Sequence, residues 1–203
     1  MRKFAASTLL AAATIGLVAA SAPSASAAPT WTVKNSNSDG SFTGLLDSGS
    51  PARFTDRATS ESFTCTSSSL LGIARSGTDR DVPMTISAFA YSSCSGPLGS
   101  TGSGNLSGTY SADSYDATTG TTLGQIAEGT VNLTINSELG TCKATMTGAV
   151  TVNYANSGLL ISATIDLTVT TVSGACAGLV SEGDNVTYGA VYDIIPVLTF
   201  TSP

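Results

Sequence analysis

Residues 143–172 read KATMTGAVTVNYANSGLLISATIDLTVTTV, two alternating runs joined by Asn156-Ser157-Gly158. In the first run Ala144, Met146, Gly148, Val150, Val152 and Tyr154 oppose Lys143, Thr145, Thr147, Thr151 and Asn153. In the second, Leu159, Ile161, Ala163, Ile165, Leu167 and Val169 oppose Ser162, Thr164, Asp166, Thr168 and Thr170. A period of two is that of a β-strand with one buried and one solvated face. The link between the runs has glycine available for a left-handed position, so it predicts an antiparallel hairpin.

The same device recurs outward along the chain. Residues 123–136 set Leu123, Ala127, Val131, Leu133 and Ile135 against Glu128, Thr130, Asn132 and Thr134. Further strands are expected at 31–35, 41–46, 52–57, 61–67, 70–76 and 82–91, with a last one at 185–200. Turn chemistry at Asp39-Gly40, Thr119-Gly120, Leu139-Gly140 and Glu182-Gly183-Asp184-Asn185 separates them. Pro196 has no amide hydrogen to give a ladder, and belongs at an edge or a bulge. No segment past the N-terminal region sustains a helical period of 3.6. The fold class is therefore all-β. Strands longer than the usual five or six residues favour an antiparallel β-sandwich or a curved, barrel-like meander.

The first 27 residues read differently. Arg2 and Lys3 precede an apolar stretch from Phe4 to about Ala20, and Ala25-Ser26-Ala27 supplies an A-x-A cleavage site. This is the pattern of a secretory signal peptide cut before Ala28. Its apolar run is short for a bilayer span and is diluted by Ser and Thr. Of the 203 residues, 176 would remain as one domain, 28–203, long enough for a sizeable core. Arg2 and Lys3 leave with the signal, so six of eight basic residues face fourteen acids, a net charge of −8. Such a chain repels phosphate backbones and anionic membrane surfaces, which excludes nucleic acid as a partner. No later apolar run reaches bilayer-spanning length, and a secreted, extracellular location is expected.

Export makes the four cysteines structural. Cys65, Cys94, Cys142 and Cys176 allow three pairings. Cys65–Cys94 and Cys142–Cys176 are favoured, because each pair brackets a local strand–turn–strand unit. Those loops close over 29 and 34 residues, roughly 3–4 kcal/mol per bridge in the chain-entropy model. The chain has no histidine and no close C-x-x-C pair, so zinc is not expected. Ser-Gly-Pro-Leu-Gly follows Cys94 and Ala-Gly-Leu follows Cys176. Internal duplication would explain the likeness, and so would ordinary turn chemistry at two strand ends.

Short segments along the chain carry a resemblance. They are Trp31-Thr32-Val33, Cys65-Thr66-Ser67-Ser68, Cys94-Ser95-Gly96-Pro97-Leu98-Gly99 and Tyr115-Asp116-Ala117-Thr118-Thr119-Gly120. Tyr154-Ala155-Asn156, Cys176-Ala177-Gly178-Leu179, Gly183-Asp184 and Thr201-Ser202-Pro203 complete the set. In these the chain resembles a group of small, exported actinobacterial proteins of streptomycete type. It departs from them at Ala175, where the group tends to place glycine directly before cysteine. The resemblance implies an all-β, disulfide-bonded secreted domain and carries over no catalytic residue.

Without histidine there is no Ser-His-Asp or Cys-His arrangement and no histidine metal centre. Lys143, beside Cys142 on a solvent face, reads as a surface ammonium rather than a base. Glu128 and Asp166, mid-strand on polar faces, are the best-placed carboxylates for glycoside hydrolysis, but read more simply as isolated surface charges. Asn35, Asn37 and Asp39 with Gly40 have part of a calcium-loop spacing. Position 12 would be Leu46, and a hairpin turn between 31–35 and 41–46 is the expectation. No catalytic, cofactor or metal residue is assigned. The expectation is a secreted non-enzymatic protein, structural or interacting at the cell surface, its partner unidentified. The alternative is a carrier of a small apolar ligand between sheets or in a barrel mouth. An envelope pore also uses alternating strands, but small polar residues throughout and two disulfides argue against it.

Overall fold

Alternating strands that bury one face must cover it, and this chain does so by closing its sheet upon itself. A computed structural model describes residues 30–176 and 178–202, with the backbone alone at 162–166. The leader expected at 1–27 lies outside the described residues. Among the described residues there are thirteen strands: β1 Trp31–Lys34, β2 Ser41–Leu46, β3 Ala52–Asp56, β4 Ser62–Ile73, β5 Gly77–Arg80, β6 Thr85–Ser95 and β7 Thr101–Ser107. They continue as β8 Tyr110–Asp116, β9 Thr121–Ser137, β10 Gly140–Ala155, β11 Leu159–Gly174, β12 Asn185–Ile195 and β13 Thr199–Thr201.

Eight positions form a closed antiparallel barrel. One is shared by β2 and β3, a strand interrupted at 47–51, and both halves lie between β12 and β4. From there the chain runs up and down through β4, β6, β7, β9, β10, β11 and β12, and β12 returns to β2 and β3. Strand β8 prolongs β7 along β9 after a break at Gly108. The barrel-like meander is therefore the form adopted, not the sandwich. Pairing β12 with β2 and β3 removes the free edges that an open sheet would expose.

A second sheet, β13-β1-β5, caps one end. Tyr154 fastens it, its hydroxyl donating to the Leu198 carbonyl and accepting from the Leu198 amide, both at 2.8 Å. The Asn156 side chain pairs likewise with both backbone groups of Phe200 at 2.8 Å. Trp31 meets Tyr115 edge-on and Tyr154 meets Phe200, so aromatic area seals this end. The lumen is filled. Phe54, Phe89, Tyr91, Tyr188 and Tyr192 pack with Leu70, Leu106, Val131, Val152 and Leu160 in one buried cluster. Eight strands leave an interior just wide enough for side chains.

Several expectations change. The run in β9 keeps its phase at Val131, Leu133 and Ile135 but not before, where Thr122 and Ile126 are buried and Leu123 faces out. In β11 Leu160, Leu167 and Val169 are buried while Ile161 is exposed. The register shifts between Thr164 and Leu167, and a bulge there exchanges the two faces. The strands expected at 61–67 and 70–76 are one strand, β4, and the last strand divides around Pro196 into β12 and β13. Strands β5, β7 and β8 are not predicted by the sequence pattern. Asn35–Gly40 is a turn but not a hairpin, because β1 pairs with β13 and β5 rather than with β2.

Candidate functional site at the barrel mouth

At the end opposite the small sheet, three local structures meet around a recess. The first is the turn from β3 to β4. Asp56 Oδ1 accepts the amides of Ala58 and Thr59 at 2.7 and 3.1 Å, and the Asp56 amide donates to the Glu61 carbonyl. Aspartate is suited to this, since a carboxylate can hold the backbone two residues on. That engagement uses one oxygen. Asp56 is 6 % exposed, and its Oδ2 is buried without a hydrogen-bond partner.

The second is the 3₁₀ turn Pro97–Gly99, with Leu98 at φ 56°. It is closed by the Gly96 amide on the Ser100 carbonyl and the Ser100 amide on the Pro97 carbonyl. A Cβ at Gly96 would lie 2.5 Å from the Phe63 ring and 2.8 Å from Ser100 Oγ, so only glycine fits. Ser100 is 1 % exposed and its Oγ too is unpartnered.

The third is the loop after β11. The Cys142–Cys176 bridge pins its start, the Leu179 amide donates to the Cys176 carbonyl, and the Ser181 amide donates to Asp184 Oδ2 at 2.7 Å. This lays Leu179 and Val180 over the mouth. The other bridge, Cys65–Cys94, joins directly paired residues of β4 and β6 near the same rim. Both expected pairings are thus formed, and both brace the recess.

Phe54, Phe63, Leu133 and Met146 wall the recess, with Glu61 at its edge. Its space for water centres is about 40 Å³, and all void out to the open rim about 410 Å³. The inner part has room for a few waters. Asp56 Oδ2 and Ser100 Oγ offer two oxygens, far from the six to eight that calcium takes.

The residues weighed from sequence lie elsewhere. Lys143 is exposed beside the Cys142 rim. Glu128 is exposed on the outer wall, in a shallow groove with Thr130 and Thr147. Strand β10 separates its strand from β11, which carries Asp166, whose side chain lies outside the described residues. Asn35, Asn37 and Asp39 spend their groups on their own turn: Asn35 Oδ1 accepts the Asn37 amide, and Asp39 Oδ1 accepts the amide and hydroxyl of Ser41. Those Ser41 bonds hold the Asp39 carboxyl below the usual range. The sequence alone singles out neither Asp56 nor Ser100. Asp56 reads as one more turn aspartate, and nothing around Ser100 marks it.

The lumen holds a second polar group. Tyr91 donates to the Tyr188 hydroxyl, and the Tyr192 hydroxyl bonds Ser68, each at 2.8 Å. Burial, with Tyr188 and Tyr192 close by, pushes the Tyr91 phenol well above its ordinary value. These groups satisfy one another within the buried core of the barrel. No family model, curated protein or solved structure matches the chain.

Proposed function

We propose that the protein is a secreted, non-enzymatic extracellular protein that acts through the outer face of its barrel, at or near the cell surface. The observation that carries this is a cluster of exposed apolar side chains on β12, β2 and β4. Thr43 pairs with both Ile195 and Leu71, placing those two in one outward row. Leu45 stands two residues along β2 on one side of that row, and Ile73 two residues along β4 on the other. Leu45, Leu71 and Ile195 are 50, 53 and 58 % exposed. Exposed apolar side chains grouped on an otherwise hydroxyl-rich wall cost solubility and mark contact sites. Two disulfides and an acidic surface support export, and no helix among the described residues is long and apolar enough to cross a membrane. A filled lumen leaves the outer wall as the broad surface on which a partner can be held.

The test is the triple variant L45S/L71S/I195S, expressed in the native host. Wild-type protein should stay with washed cells, and the variant should move to the medium with its melting temperature nearly unchanged. Equal partitioning of the two proteins would sink the reading.

A further inference from the structure

We infer that the mouth recess is a binding site for a primary ammonium group on a short unbranched alkyl stem. It stands apart from the outer apolar face and does not depend on that reading. The argument begins with two buried orphans. Asp56 and Ser100 both line the recess, and Asp56 Oδ2 and Ser100 Oγ are buried without a hydrogen-bond partner. A buried acceptor left unpaired is unfavourable, and a ligand that supplies a donor recovers that loss.

For Asp56 Oδ2 the missing group is a donor, and the Ser100 hydroxyl can accept from the same group. Asp56 Oδ2 is an acceptor, and Asp56 Oδ1 is already held by the Ala58 and Thr59 amides. That engagement disfavours a guanidinium fork, which wants both oxygens of a carboxylate. An ammonium is compact and has three donors without a fixed plane. With small rotations of the two side chains into the recess, one would meet Asp56 Oδ2 and another Ser100 Oγ, leaving the third for Glu61 or water. No lysine or arginine is among the described residues that line the recess. The remaining walls select the stem. Phe54, Phe63, Leu133 and Met146 offer apolar surface to methylenes, and Leu179 and Val180 close over it. A small inner space admits a slender chain and refuses a ring or a branched head. A free alkylamine and the lysine side chain of a peptide both present this chemistry.

The experiment titrates the full mature protein with n-butylammonium chloride, with butan-1-ol and with a blocked Gly-Lys-Gly peptide, read by amide NMR. Saturable shifts at Ala58, Thr59, Ser100 and Leu179 are expected with butylammonium. At least tenfold weaker binding is expected with the alcohol. Lysine peptide binding as tightly as butylammonium would assign the site to a presented side chain, and binding of butylammonium alone to a free amine. Asp56→Asn keeps an oxygen for the turn amides and should lose the preference for ammonium over alcohol. Should that variant fail to fold, Ser100→Ala is read instead, with binding weakened at least threefold. Absence of saturable shifts, equal binding of amine and alcohol, or an unchanged preference in the folded variant would each overturn the proposal. The recess would then be a water site.

Discussion

The carboxamide of Asn156 stands in for a strand neighbour. It donates to the Phe200 carbonyl and accepts from the Phe200 amide, so one side chain completes the pairing of β13. Asn156→Ala removes both bonds and leaves two backbone groups unpaired. At about 1 kcal/mol per bond the loss should be roughly 2–3 kcal/mol by denaturant midpoint. Hydrogen exchange at Phe200 should accelerate more than at Tyr192 in the barrel. Asn156→Asp can accept but not donate to the carbonyl, and should fall between. Gly102 is a residue of another kind. A Cβ there would run into the Thr134 carbonyl and lie 2.8 Å from the Phe63 ring. The backbone cannot yield as a side chain could, so Gly102→Ala should destabilise by about 1–3 kcal/mol. Melting curves check it; an unchanged melting temperature would mean that β7 shifts freely. At this scale the sequence was partly legible. Asn156 announces a turn, but its partner lies 44 residues away. Asp56 announces a turn as well, and only the closed barrel shows that its second oxygen is buried.

Elements were legible where alternation was unbroken. Strand β10 buries Ala144, Met146, Val150, Val152 and Tyr154, as its pattern demands. Alternation fails where a bulge inserts a residue, because every side chain beyond it changes face. Thus β11 switches phase between Thr164 and Leu167, and β9 does so before Val131. Strands β7 and β8 fail differently. Their glycines and serines form no apolar stripe, and β7 is a strand because glycine lets it lie close to β9. The loop that carries Leu179 and Val180 is tied to the barrel by Cys142–Cys176. Replacing both cysteines by serine should cost about 3–4 kcal/mol in the chain-entropy model. Exchange should quicken first in residues 178–184, while the β4–β6 ladder stays protected behind Cys65–Cys94. A uniform rise in exchange across the barrel would show that this bridge stabilises the whole fold rather than its lid.

At the scale of the molecule, closure depends on contacts that no local pattern encodes. Strands β2 and β3 meet β12 across some 130 residues or more of chain, and both neighbours already have one paired edge. The all-β class and two disulfides were readable; the choice of barrel over sandwich was not. Closure also sets the response to alkali. Burial raises the phenols of Tyr91, Tyr110 and Tyr192 above the ordinary value of 10.0, and raises Tyr154 to about 12. Each binds its proton more tightly folded than unfolded, so stability from this source is complete below pH 10. It is lost as pH rises from there toward the folded values, because the unfolded chain releases protons first. Denaturant midpoints should be flat from pH 7 to 9 and fall steeply between pH 10 and 12. Tyrosinate absorbance should rise in step with the loss of β-sheet circular dichroism. Tyr192→Phe removes one of these protons together with the bond to Ser68. It should lower stability at pH 7 but flatten the alkaline slope. A slope as steep as that of the wild-type protein would mean that Tyr192 ionises without unfolding, and that the lumen admits hydroxide.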